Sequence, residues 1–231
     1  MFQLWLLLIP ALGMILQGCF IMVEHQKKYV AADILKGSAA LCFVLFGLIG
    51  YLTVSKDPVG LKLVIGLIFG MFGDILLNLR FVIRKYATKI FLVGIVSFLV
   101  GHILYLAALA PNAKHPAAAI LIGACIAGAL LVYVYLTMQV KVVFKIFGIV
   151  YLGAVFIMTA IACDIALTTM AVRDIVYAIG AVLFTLSDVI LIFYTFGGEK
   201  YATFPRRISN LSLYYLGQLL IAGSLFLPYM K

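Results

Sequence analysis

Residues 60–79 read GLKLVIGLIFGMFGDILLNL. After Lys62 the run stays uncharged until a single aspartate, Asp74, well inside it. About 20 apolar residues is what a helix needs to cross about 30 Å of hydrocarbon. A carboxylate near the centre of such a helix costs about 2.5–3.5 kcal/mol on the translocon scale. So this stretch predicts a membrane span that carries an acid for a reason. Similar apolar runs lie near 2–22, 34–54, 90–110, 117–138, 142–163, 175–196 and 208–228. Together they use most of the 231 residues and leave only short connections.

Composition agrees. The chain is 66% hydrophobic and 11% charged, with mean hydropathy +1.23. An ordinary soluble domain is about 45–50% apolar and about a quarter charged. A soluble enzyme, a disordered chain, a collagen-like fibre and a disulfide scaffold are all excluded. Strands of an outer-membrane barrel would alternate polar and apolar residues, and Leu4-Trp5-Leu6-Leu7-Leu8-Ile9 does not. The expected fold is an all-α polytopic membrane bundle of eight transmembrane helices, one transmembrane domain over 1–231.

The basic residues suggest an orientation. Twelve fall in or beside the connections after spans 1, 3, 5 and 7: Lys27, Lys28, Lys36, Arg80, Arg84, Lys85, Lys89, Lys141, Lys145, Lys200, Arg206 and Arg207. Five fall on the other side: Lys56, Lys62, Lys114, Arg173 and Lys231. The positive-inside rule puts the twelve in the cytosol and both termini opposite. The net charge of +9 is thus mostly a topology signal, and no basic stretch interleaved with aromatics suggests nucleic acid. Without a basic n-region the N-terminus reads as a retained span. The compact chain suggests a bacterial inner (cytoplasmic) membrane, with the endoplasmic reticulum as alternative. Cys19, Cys42, Cys125 and Cys163 stand singly, giving neither a metal set nor a disulfide framework.

Two segments resemble each other. Gly66-Leu-Ile-Phe-Gly-Met-Phe-Gly-Asp74 in span 3 matches Gly180-Ala-Val-Leu-Phe-Thr-Leu-Ser-Asp188 in span 7, 114 residues on. Gly101-His102 in span 4 matches Gly217-Gln218 in span 8, 116 residues on. The pattern suggests a four-plus-four parallel internal repeat with halves of roughly 1–115 and 116–231, and sites in such folds lie at the repeat interface. Both aspartates are intramembrane, Asp74 about 9 Å and Asp188 about 13 Å from the same end at the helical rise.

Helical spacing puts Gly66, Gly70, Asp74 and Asn78 on one face of span 3. Gly94, Phe98, Gly101, His102 and Tyr105 share a face of span 4, and Asn210, Tyr214 and Gln218 a face of span 8. Taken singly, His102, Asn78, Ser187, Gln218 and the tyrosines suit hydrogen bonding between helices. Two aspartates at matching repeat positions point instead to chemistry. Asp33, Asp57, Asp164, Asp174 and Glu199 fall at span ends, where solvated or capping roles suffice. His25 and His115 sit in loops and are assigned nothing. No HExxH, GxSxG, P-loop or dinucleotide motif is present.

At these residues the sequence resembles the YhhN family, integral-membrane lysoplasmalogenases. The resemblance rests on Gly73-Asp74 with Leu76, Gly101-His102-Ile-Leu-Tyr105, Phe184-Thr-Leu-Ser187-Asp188 and Tyr214-Tyr215-Leu-Gly-Gln218-Leu-Leu-Ile221, in family order. Lys36 matches a family lysine, followed here by Gly37 where proline is expected in relatives. The family implies hydrolysis of the vinyl ether of a lysoplasmalogen to a fatty aldehyde and glycerophosphocholine or glycerophosphoethanolamine. It also implies a catalytic pair at Asp74 and Asp188.

That chemistry suits two buried carboxyls. Protonating the β-carbon of a vinyl ether gives an oxocarbenium ion; water then adds, and the hemiacetal collapses to aldehyde and alcohol. Glycoside hydrolysis uses a carboxylic acid and a second carboxylate in parallel roles. Asp188 is preferred as acid and Asp74 as base or cation stabiliser. Lys36, Asn78, His102, Tyr105, Ser187, Tyr214, Tyr215 and Gln218 are the candidates for orienting or binding substrate, with Lys36 near the cytosolic end as phosphate partner. The expected partners are a lysophospholipid and membrane lipid; no cofactor or metal is called for, and the oligomeric state is open. The alternatives are a small proton- or cation-coupled transporter using the same pair and a non-catalytic lipid-binding protein.

Overall fold

The computed structural model describes residues 4–227; Lys231, counted above, and residue 228 at the end of the last expected span lie outside them. After a short 3-10 turn at Leu4–Leu7, eight α-helices follow: α1 Leu8–His25, α2 Tyr29–Thr53, α3 Pro58–Val82, α4 Ala87–Leu109, α5 Pro116–Thr137, α6 Val142–Thr169, α7 Val172–Phe196 and α8 Phe204–Ser224. No strand occurs among the described residues. Local chemistry sets several ends. Asp57 caps α3 by accepting from the Gly60 N–H at 2.6 Å, with Pro58 in the first turn. Pro116 and Pro205 open α5 and α8 in the same way.

Helices α1–α7 are long and apolar enough to cross a membrane, and the chain is an integral membrane protein. Leu121, Leu136 and Leu167 stand more than half exposed on the outside of the bundle, an arrangement suited to lipid rather than water. Helix α8 is more polar, opening with Arg206 and Arg207 and carrying Ser209, Asn210, Tyr214 and Gln218. Of these, Asn210, Tyr214 and Gln218 are buried, as their spacing predicts. The faces expected to turn inward on α3 and α4 are buried as well.

Successive helices pack together from α1 to α4 and from α5 to α8, while α4 also lies on α6, and α8 on α2 with lesser contacts to α1 and α3. The main core draws on α2 through α8, from Phe43 and Leu67 to Met158, Phe184 and Ile221. Among its close helix crossings, two join matching glycines. A Cβ added at Gly217 would lie 2.8 Å from the Gly180 carbonyl oxygen, and one at Gly180 equally close to that of Gly217. Likewise, a Cβ at Gly101 would lie 3.0 Å from the Gly66 carbonyl. Small residues let membrane helices approach this closely. In Gly217→Ala the obstacle is backbone, so α7 and α8 must separate. The expected result is a loss of about 1–3 kcal/mol, the usual cost of overpacking, seen as a lower unfolding midpoint in detergent. Gly153→Ala, which meets nothing within 4 Å, should leave the midpoint unchanged.

Several expectations need correcting. Helix α2 starts five residues earlier than the apolar run, so Lys36 lies two turns inside it rather than at a span end. Helix α6 runs on to Thr169, so Asp164 is within it. There Asp164 accepts from the backbone N–H groups of Lys114 and His115 and pairs with the His115 ring at 2.9 Å, giving that histidine a partner. Asp174 does lie at a helix end, in the first turn of α7, where it accepts from the Thr169 hydroxyl. Asp33, rather than capping a solvated end, is half-buried beside Asn78 and Lys36.

Candidate functional site

A cavity of about 120 Å³ lies among α2, α3, α4, α6, α7 and α8, and both Asp74 and Asp188 line it. Its walls are mostly apolar, including Leu77, Ile95, Phe98, Phe184 and Leu191. Helices α1 and α5 contribute nothing to it. The missing Cβ of Gly73 makes room for the Phe98 ring, whose atoms would otherwise lie 2.5 Å from it. This seats α3 against α4 one residue before the acid.

The two carboxyls are nearly fully buried, Asp74 2% and Asp188 5% exposed, but their partners differ. Lys36 Nζ lies 3.1 Å from Asp74 Oδ1, and the Tyr214 hydroxyl donates to Asp74 Oδ2 at 2.7 Å. Lys36 also lies over the rings of Phe20 and Tyr214, at 5.0 and 5.4 Å. Asp188 accepts from the Tyr151 hydroxyl at 2.7 Å, a neutral phenol in place of a cation. A buried charge is stable only when paired and hydrogen-bonded, a condition that Lys36 and Tyr214 together meet for Asp74. The expectation of Lys36 as a phosphate partner therefore needs correcting. Its ammonium is buried on Asp74 and not held out toward a headgroup.

Asn78, Ser187 and Tyr214 line the cavity with the aspartates. The Ser187 hydroxyl donates to the Phe184 carbonyl, and the Asn210 side chain donates to the Ser187 carbonyl at 2.8 Å. His102, Tyr105, Tyr215 and Gln218 are not brought to it. His102 Nδ1 is 2.7 Å from the Phe98 carbonyl oxygen, and the ring packs behind Phe184 and Tyr151. The Tyr105 hydroxyl donates to Gln218 Oε1 at 3.4 Å, and Tyr215 donates to the Ala39 carbonyl. Tyr105, Gln218 and Tyr215 thus tie helices together, the role that single polar residues in a membrane commonly have, whereas the His102 hydrogen bond stays within α4.

Tyr151, Arg80, Arg207 and Asn210 line the cavity without having been picked out as site residues. Tyr151 is one of 13 tyrosines and carries no local motif. One signal could have found it. It lies 115 residues after Lys36, nearly the offset that relates Asp188 to Asp74. The arginines had been accounted for by topology alone.

Residues 31–225, most of the chain, match a family model described as the YhhN family. No curated protein and no solved structure shows significant similarity to the chain.

Proposed function

The chain belongs to the YhhN family, and from that premise we propose that it is a lysoplasmalogenase. On this reading it cleaves the vinyl ether of single-chain alkenyl glycerophospholipids to a fatty aldehyde and the glycerophospho-alcohol. The observation that carries the reading is the pair of buried carboxyls, Asp74 and Asp188, lining one apolar-walled cavity with unlike partners.

Lys36 and Tyr214 hold Asp74 as a carboxylate. Asp188 has only a phenol beside it, and an unpaired buried charge is costly, so this carboxyl carries the proton. Tyr151 donates to Asp188 Oδ2, which leaves Oδ1 for that proton. Asp188 delivers it to the β-carbon of the alkenyl ether, and the oxocarbenium ion that forms is stabilised by Asp74. Water adds at the α-carbon and its proton passes to a carboxylate of the pair. The hemiacetal then breaks its bond to the glycerol oxygen, releasing aldehyde and alcohol. General acid catalysis of this kind contributes about 10²–10⁴-fold.

Helix α8 on this reading is an eighth span, and the halves descend from a duplication. The support is threefold. Gly66 with Gly101 matches Gly180 with Gly217 as close crossings. The α4–α6 contact has its counterpart in the α8–α2 contact. Lys36 on Asp74 has its counterpart in Tyr151 on Asp188. The basic end, with Arg80 and Arg207, faces the cytosol by the positive-inside rule.

The test is aldehyde release by purified protein in detergent. A lysoplasmalogen should yield aldehyde, while its saturated ether analogue, with no carbon to protonate, should yield none. A transporter has no activity without a compartment, so the absence of aldehyde from a folded protein would sink the enzyme reading.

A further inference from the structure

Among the described residues, every cation on the cavity wall is matched with an acid except one. Lys36 is balanced by Asp74. Arg207 is held by Glu24, which accepts from both ends of the guanidinium, Nε donating at 2.9 Å. Arg80 lines the same cavity and, among the described residues, forms no ion pair. Its guanidinium lies over the Phe81 and Phe91 rings, 4.7 and 4.3 Å from their centroids, and its buried Nε has no hydrogen-bond partner among the described residues. Glu24 and Arg207 are near enough to act on Arg80 electrostatically. The cluster of two arginines and one glutamate therefore carries a net charge of about one positive unit.

We propose that Arg80, with Arg207 beside it, binds the phosphodiester of a single-chain lipid headgroup. Contact with two aromatic rings restrains the guanidinium, and a planar fork suits two phosphate oxygens in a way an ammonium does not. One uncompensated positive charge matches one phosphodiester anion. The placement fits as well. Arg80 lies about 9 Å along α3 from Asp74 at the helical rise, toward the basic end, so the glycerol link of the lipid joins the arginine to the aspartates. This deepens the lysoplasmalogenase reading and rests on it for the orientation of the substrate, but binding needs no vinyl ether.

The experiment is titration of hexadecylphosphocholine, by mole fraction in dodecyl maltoside micelles, with the unfolding midpoint as readout. Wild type should show a saturable rise. Arg80→Gln should weaken apparent binding at least tenfold, and Arg80→Lys, which keeps charge but not the fork, at least threefold. Uncharged hexadecyl maltoside should raise neither midpoint. Inorganic phosphate alone should also fail, because the chain supplies part of the affinity. Wild-type binding by both variants, or an equal rise with the uncharged lipid, would overturn the proposal. An equal rise with inorganic phosphate would make this a free-phosphate site and overturn the lipid assignment. Because the probe has no bond to hydrolyse, failure here is separable from failure of the aldehyde assay.

Discussion

Asp188→Asn should abolish aldehyde release, at least about a thousandfold, a loss within the range ascribed to general acid–base catalysis, while the protein stays folded. The substitution is nearly isosteric. The amide oxygen can accept from Tyr151 as Asp188 Oδ2 does at 2.7 Å, so the wall of the cavity should survive and only the transferable proton is lost. The unfolding midpoint should move little. Turnover within tenfold of wild type would remove Asp188 from the mechanism, whatever happened to stability. Asp74→Asn should be as inactive but less stable, since it leaves the Lys36 ammonium buried without its counter-charge.

Lys36→Met gives the complementary result. Removing one partner of a buried ion pair is destabilising by about 3–5 kcal/mol, because the other charge is left uncompensated. A large fall in the unfolding midpoint is expected, together with loss of aldehyde release. Replacing both partners is a different matter. Buried pairs exchanged for hydrophobic residues of similar volume are often as stable as the original; Lys36→Met with Asp74→Asn removes both charges and should recover part of the midpoint and none of the activity. The non-additivity of the double-mutant cycle is the measurement. Additive losses would mean that Lys36 and Asp74 do not balance each other, and the division of labour between the two aspartates would fall with that.

The Arg80 and Lys36 results bear on the same correction. In the sequence both residues serve as topology markers, and Lys36 is also a candidate phosphate partner near a span end. Both turn inward. Helical wheels could not separate them from Lys85 or Lys89, because a basic residue near a span end follows the positive-inside rule whichever way it faces. Tyr151 escaped notice for another reason. An apolar helix with a tyrosine in it is unremarkable until an acid is known to face it.

Much could be read directly from the order of residues. The apolar runs require membrane helices, because a bilayer offers unpaired backbone groups no partner. Their polar interruptions placed Asp74 and Asp188 inside them, and a period of 3.6 residues assigned the buried faces of α3, α4 and α8. What the residue order did not contain was the pairing across the bundle. That Lys36 lies against Asp74, that Tyr151 lies against Asp188 and that Arg80 forms no ion pair among the described residues depends on how helices far apart in the chain are rotated against one another. Close glycine crossings and side-chain packing decide that rotation, and these are properties of the assembled interior rather than of any one segment.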